Sequence, residues 1–339
     1  MKRILLFLIV LPCLLASSAA DTAEGFSIIP NVHGTLRTRY EMATGNGYAG
    51  DERFQVRNAR LTVDGHLAPP VSYFIQADLC DRGKVKILDA WGRIDFSQRF
   101  NVQAGQFRMP FGTDVYRAPF NYIFNNRSFV GKQMCNYRGV GARVAWMPVK
   151  TLTLETGAYN PTSMADHEVW VRHLAYAAKV LWRVSDFSFS TGLLSLRPDG
   201  TRVNLTGASA GWQSGRWQTE AEYMIKHYTR SDLADTHAWV IWGNYAMPVS
   251  LGVFNEASFQ ARFDGLTDHS TGFHDNDGRL IVTDPSRTRL TLGSTITYRY
   301  KRVHADIRLN YEAYFYRHDV IPSSPTEASK VSAELVIRF

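Results

Sequence analysis

Two sets of residues in this 339-residue chain have types and spacings that bear on chemistry. The first lies between Pro110 and Tyr137, where Arg117, Arg127 and Lys132 stand against a single acid, Asp114, and Arg138 follows directly. A guanidinium offers a passing oxyanion paired donors in a fixed plane, which an ammonium cannot. Attraction of small anions is therefore the chemistry this segment suggests, with Arg60 and Arg108 as further candidates on its approaches. The second set is His269, His274, Asp275 and Asp277, in the stretch from Gly265 to Ser286. A hydrolase site or metal cluster would draw on such residues, but no regular ligand spacing supports either. The run Asp275-Asn276-Asp277-Gly278 resembles the start of a calcium loop and lacks the later Glu. No G-x-S-x-G element on a strand–helix turn and no glycine-rich phosphate cradle is found. The expectation is a protein that is not an enzyme and needs no cofactor or metal.

What positions these residues can be read from the N-terminus onward. Lys2 and Arg3 precede an apolar run from Ile4 to Ala16, and Ser17, Ser18, Ala19 and Ala20 follow. That is the pattern of a cleaved secretory signal peptide, so residues 1–20 are expected to be removed and 21–339 to form one domain. Roughly thirteen apolar residues fall short of the ~20 that a spanning helix needs. Pro12 before Cys13 argues against lipidation. After Asp21 no apolar run reaches the length of a membrane helix, which excludes a helical membrane protein. Removing Lys2 and Arg3 takes the formal charge from +7 to +5, an excess compatible with anionic solutes. Cys80 and Cys135 are too few to staple such a chain, and an oxidising compartment permits a bridge between them without requiring it.

Period-two alternation dominates from Val32 to the end. Val331, Ala333, Leu335, Ile337 and Phe339 share one face, while Lys330, Ser332, Glu334 and Arg338 share the other. Val303 to Tyr311 and Trp217 to Ile225 repeat the pattern against His304 to Glu312 and Gln218 to Lys226. A strand with one greasy and one charged side sits between lipid and water. Sixteen strands are predicted, at 31–42, 54–67, 71–79, 85–96, 100–108, 138–147, 151–159, 173–184, 187–196, 202–212, 216–226, 237–246, 252–264, 287–299, 303–314 and 328–339. Tight turns, such as those at Pro69-Pro70, Ser185-Asp186 and Pro248, alternate with long connections, which would place the turns in the periplasm and the loops outside. Tyr40, Phe54, Phe96, Phe100, Trp146, Trp182, Tyr298, Tyr300, Tyr311 and Tyr314 crowd strand ends, as interfacial girdles do. A secreted β-sandwich would need shorter strands. The fold expected is all-β: a transmembrane antiparallel β-barrel of sixteen strands whose third extracellular loop folds inward.

Several stretches resemble the phosphate-selective porin O and P family. They are Arg57 to Gly65 with Ser72 to Asp78, Leu88 to Trp91, Gly105-Gln106-Phe107-Arg108-Met109-Pro110-Phe111-Gly112, Asn126 to Phe129, Tyr137 to Gly141, Gly157 to Asn160, and Ile337-Arg338-Phe339. The resemblance implies a sixteen-stranded outer-membrane barrel, often trimeric, with its third loop in the lumen.

The loop from Pro110 to Tyr137 carries Phe111, Val115, Phe120, Tyr122, Ile123, Phe124 and Phe129, apolar groups that need a surface to pack on. The inner wall is the nearest one. Arg37, Arg39, Arg60, Arg93, Arg143, Lys179, Arg262 and Arg308 face inward by alternation against Asp64, Asp78, Asp89, Asp95, Glu155, Glu220, Glu222, Asp264, Asp306 and Glu334, so the wall reads as mixed in sign. The combined expectation is a passive channel for small hydrophilic solutes with a modest anion preference, phosphate included among the candidates. Arg117, Arg127, Lys132, Arg138, Arg60 and Arg108 would line its constriction. An adhesin or receptor barrel and a barrel hydrolase are the alternatives. Outer-membrane lipid, small anions, the barrel assembly machinery reading Phe339, and two further copies in a homotrimer are the expected partners. Arginine is expected to be tolerated at inward Ser332 and not at outward Leu335.

Overall fold

The computed structural model describes residues 28–339 apart from 82, 119–120, 161–169, 230 and 318–319. The expected signal segment and Phe120 lie outside the described residues. Sixteen strands follow one another: β1 (Asn31–Ala43), β2 (Glu52–Ala68), β3 (Val71–Asp81), β4 (Lys84–Ser97), β5 (Phe100–Arg108), β6 (Arg138–Val149), β7 (Leu152–Tyr159), β8 (Ala175–Val184), β9 (Phe187–Leu196), β10 (Val203–Ser214), β11 (Trp217–Tyr228), β12 (Thr236–Leu251), β13 (Phe254–Leu266), β14 (Arg287–Tyr300), β15 (Val303–Tyr316) and β16 (Lys330–Arg338). Each pairs antiparallel with its neighbours in sequence, and β16 pairs with β1 from Thr35↔Arg338 to Ala43↔Lys330, closing the barrel. The final residue completes the seam. Gly34 N donates to Phe339 O at 3.0 Å and Phe339 N to Gly34 O at 3.2 Å, while the Phe339 ring occupies the space that a Cβ on Gly34 would need.

Burial runs opposite to that of a soluble protein. Leu36, Leu61, Ile75, Leu193, Ile241, Leu292, Ile307 and Leu335 are exposed, while Arg37, Arg39, Glu222, Asp264, Arg289, Glu312 and Glu334 are buried. Alternating side chains point to opposite faces of a strand, so the outer wall is apolar and the lumen is polar. A β-sandwich would bury the first group and expose the second. Phe54, Phe96, Trp146, Trp182 and Tyr300 stand exposed on the outer side. Tyr314 was expected among them and is instead buried in the lumen, because it lies three residues from outward Tyr311 and so has the opposite parity.

Proline placement also departs from the expectation of a turn at Pro248, since β12 continues to Leu251 and turns at Gly252. Ala246 N donates to Arg216 O, just before β11 begins, so the nitrogen two residues on points to where no strand remains. Pro248 therefore removes no ladder bond. Two register shifts matter more for the site. In β2 the pairing steps from Arg37↔Asn58 to Thr38↔Val56 and leaves Arg57 as the extra residue. In β4 it steps from Gln76↔Asp89 to Ala77↔Ile87 and leaves Leu88. A bulge of this kind exchanges the faces of every residue on one side of it.

Candidate functional site

The longest described connection, 109–137, joins β5 to β6 and is fastened to inward-facing side chains around the wall. Gly112 makes the first bend with φ of 80°, a left-handed conformation that suits glycine, and a Cβ there would crowd Cys135 and Met224. Phe111, Val115, Met134 and Cys135 then bury themselves against Leu194, Leu205 and Met224 of β9, β10 and β11. Glu222 accepts from Thr113 N at 2.6 Å and Asp114 N at 3.0 Å, capping a short 3-10 turn at Asp114–Tyr116. Lys179 donates to Gly112 O.

On the other side the fastening is done by arginines. Arg37 and Arg39 donate to Asn125 O, Arg262 to Asn126 O at 2.7 Å, and Arg289 to Arg127 O at 2.7 Å. Asn125 N donates to Asn310 and its amide to Ser332 Oγ at 2.9 Å. These wall arginines are themselves neutralised, Arg37 and Arg39 by Glu334, and Arg262 and Arg289 by Asp264 and Glu312. Ser332 is thus packed under Asn125 rather than open to water, and the tolerance of arginine expected there does not fit this packing.

Two chambers are lined in part by the segment. One, of about 470 Å3, is lined by Arg37, Arg39, Arg53, Arg57, Arg60, Lys86, Arg108, Arg127, Lys132, Arg138 and Arg289 against Glu41, Asp78 and Glu327. The other, of about 560 Å3, is mixed, with Arg117, Arg299, Arg308 and Arg338 beside Glu256, Asp306 and His304. The wall that reads as mixed in sequence is therefore sorted in space, with a strongly basic region on the β1 to β5 side.

Five of the six candidate residues come together in the basic chamber: Arg60, Arg108, Arg127, Lys132 and Arg138. Three of these have acidic partners, Arg60 with Asp78, Lys132 with Glu327, and Arg138 with Asp89 at 3.1 Å. Among the described residues Arg108 and Arg127 have none. Both donate to Asn136 Oδ1, at 2.8 and 3.2 Å, which holds two guanidiniums near one amide oxygen. Arg117 departs from the group. It lines the mixed chamber, pairs with Asp114 at 2.8 Å and with Glu220, and stacks over Trp242. Burial disfavours its charge, yet Glu220 and Asp114 outweigh that and raise its pKa. Burial likewise pushes Asp114 up, and Arg117 and the Ser128 hydroxyl bring it below its ordinary value.

Arg53, Arg57 and Lys86 were missed by alternation. Even-numbered residues of β2 from Asn58 to Asp64 face inward, so strict parity sends Arg57 outward; the bulge at Arg57 reverses it. The bulge at Leu88 does the same for Lys86 relative to Asp89 and Arg93. A break in apolar alternation at Gln55-Val56-Arg57-Asn58 was the available signal.

The residues that suggested hydrolysis are held apart by structural roles. His269 is buried between Asp284, at 2.9 Å from Nδ1, and Lys226, at 2.9 Å from Nε2, and burial lowers its pKa to about 4. His274 bonds Asp199 and Thr201. Asp275 accepts from the N–H groups of Asp277 and Arg279 and closes a turn ending at Gly278, whose φ is 77°. Gly207-Ala208-Ser209-Ala210-Gly211 has the letters of a nucleophile elbow but lies within β10, and Ser209 Oγ sits 2.8 Å from the Thr113 and Ser190 hydroxyls. Among the described residues no group of three or more His, Cys, Asp or Glu is placed to hold a metal ion. Cys80 and Cys135 are free thiols, and burial raises that of Cys135 well above its usual value.

The family model for phosphate-selective porin O and P matches residues 32–180. A search of curated proteins finds no match. Among solved structures, the outer membrane channel DcaP of Acinetobacter baumannii is 13% identical, with a TM-score of 0.64 over 91% of this chain and 97% of that one. OprB of Pseudomonas putida is 10% identical, with a TM-score of 0.61 over 91% and 93%. OmpT of Vibrio cholerae in its trimer form is 11% identical, with a TM-score of 0.60 over 92% and 98%. At these identities the likeness is one of fold. Residues 32–180 carry the signature of the phosphate-selective porin O and P family, and the chain as a whole carries the sixteen-stranded barrel of an outer-membrane porin.

Proposed function

We propose that this protein is a passive outer-membrane channel for small hydrophilic solutes, that the segment 109–137 is its inward-folded constriction, and that the basic chamber gives it a preference for anions. One observation carries the preference. Arg57, Arg108 and Arg127 line the same chamber, and among the described residues none of them forms an ion pair with a carboxylate. Cations already neutralised by acids contribute little net field, whereas these three add theirs to the lumen. Low-dielectric walls strengthen that field where water is thin, and paired N–H donors suit an oxyanion's geometry.

The remaining parts of the reading are export by residues 1–20, assembly through the terminal Phe339, and a homotrimer like the trimer form described for the Vibrio cholerae OmpT. The barrel crosses lipid with strands and the channel has no enzymatic step, so solutes move down their gradients. Purified protein in planar bilayers tests the core of it. Discrete conductance steps with a zero-current potential displaced toward the chloride equilibrium value in a KCl gradient are expected; no conductance, or cation preference, would contradict it. Phosphate as a preferred solute is tested separately by whether micromolar phosphate blocks chloride current.

A further inference from the structure

The connection from β9 to β10 carries two cations set against each other on the outside of the barrel. Leu196↔Val203 is the last paired rung of that hairpin, so Arg197 and Arg202 stand opposite one another one step beyond it. Like charges directly across a strand pair destabilise it. Leu194, Leu196, Val203 and Leu205 are buried inside the barrel, whereas Leu193 is 58% exposed, so the intervening Ser195 and Asn204 belong to the outer face. Arg202 joins that face by donating to Ser195 Oγ at 2.9 Å.

Neither guanidinium reaches a carboxylate among the described residues. Arg197 donates from Nε to Gly200 O at 2.8 Å and from Nη1 to His173 Nε2 at 2.9 Å, while Arg202 has the Ser195 hydroxyl. The acid of the same connection, Asp199, is turned to His274 Nδ1 at 2.8 Å, and Asp235 is turned to His227 at 2.8 Å. Arg197 Nη2, Arg202 Nε and Arg202 Nη2 are left without a protein acceptor among the described residues.

Their height on the wall indicates what could bridge them. One rung down lie Ser195 and Asn204, bonded to each other at 2.7 Å, with Asn204 donating to Thr229 at 3.4 Å. Tyr176, paired with Ser195, is exposed beside them, an amphipathic ring of the kind that suits a membrane boundary. Below that row the exposed side chains are Leu193, Val180 and Phe189. Down this strip the wall changes from charge, through hydroxyl and amide, to hydrocarbon, which is the order of a phospholipid or phosphorylated glycolipid from headgroup to chains.

We propose that Arg197 and Arg202 form a binding site for the phosphate of a phosphorylated outer-leaflet lipid, whose acyl chains lie along the apolar wall below Leu193. A phosphate placed between the two guanidiniums turns a repulsive pair into a bridged one, through charge-assisted bonds to donors that are otherwise idle. The site lies on the opposite face of the wall from both chambers. It rests on the barrel and is independent of whether the barrel conducts.

The test is native mass spectrometry of the purified barrel, titrated with bisphosphorylated lipid A, with the same lipid stripped of its phosphates, and with inorganic phosphate. The wild type should retain the phosphorylated lipid and bind the other two far more weakly. Arg197→Gln with Arg202→Gln should weaken retention on the order of twentyfold, about fivefold for each charge removed near an anionic headgroup. Single-channel conductance should stay at the wild-type value. Arg197→Lys with Arg202→Lys keeps the charge without the planar donor pairs and should fall between. Arg216→Gln, in the turn between β10 and β11 at the other end of the barrel, should change nothing. Equal retention of the two lipid forms by the wild type, a comparison that needs no variant, would overturn the site, as would wild-type affinity in the folded double Gln variant. Inorganic phosphate bound as tightly as the lipid, with the same dependence on the arginines, would make this a free-anion site and overturn the lipid.

Discussion

Arginines do two different jobs in this lumen. On the β13 to β1 side, Arg37, Arg39, Arg262 and Arg289 are buried, bonded to Glu334, Asp264 and Glu312, and aimed at the backbone carbonyls of 125–127. In the same basic chamber that Arg37, Arg39 and Arg289 line, Arg57, Arg108 and Arg127 have no acidic partner among the described residues. The first group bonds to the segment 109–137; the second, in the channel reading proposed above, is left to act on a solute. Counting arginines along the sequence would not separate them, because what decides is whether a carboxylate sits within reach. A lumen can be rich in guanidinium groups and still carry its field at only a few of them.

The comparison breaks most visibly if the holding group is disturbed. Asp264→Ala leaves Arg262 and Arg289 short of their shared carboxylate in a buried setting, and the barrel should lose about 3–5 kcal/mol, read as a lower temperature for loss of the compact band in gel migration. The matching change on the free side, Arg57→Ala, removes a cation with no ion pair and should leave that temperature close to wild type.

A somewhat smaller effect is expected from the outer wall. Leu335→Arg places a charge on the lipid face and should cost ~2–4 kcal/mol near the midplane, measured by urea titration in bilayers. Gln218→Arg, which faces the mixed chamber, should be tolerated. Ser332→Arg should not, because Asn125 fills that space. Equal damage at Leu335 and Gln218 would reject the register.

Most of the architecture was legible from sequence, and the reason is the strictness of period two. All sixteen strands lie close to where alternation puts them, because a lipid face on one side and water on the other punish any slip. The site was legible in part. Arg108, Arg127 and Arg138, picked out by the long segment beside them, line the basic chamber; Arg57 and Lys86, which also line it, were hidden by bulges that reverse parity in mid-strand. Arg117, grouped with them in sequence, lines the other chamber, and its partners Glu220 and Trp242 are over a hundred residues away, so sequence gives no hint of the pairing.

A third expectation concerns pH and the loop 267–286. Docked His269 is held neutral by burial, with the charges of Lys226 and Arg287 adding to that and Asp284 opposing it, so it binds a proton only below about 4 instead of the ordinary 6.5. An undocked loop takes up that proton earlier, so docking is at full strength above about pH 6.5 and weakens as pH falls toward 4, by a factor approaching ten per pH unit. Asp284, whose carboxyl is held below its ordinary value, acts in the same direction. Hydrogen exchange of amides in 267–286 should quicken relative to the strands across that window, and His269→Gln should flatten the dependence.

The central claim is that the field in the lumen comes from the unpaired arginines, and the zero-current potential in a KCl gradient tests it most directly. Arg108→Glu with Arg127→Glu should move that potential from the chloride side toward the potassium side, with a shift that shrinks as the screening length falls from about 10 Å at 0.1 M salt to about 3 Å at 1 M. A folded double variant whose potential equals that of the wild type at low salt would contradict the account.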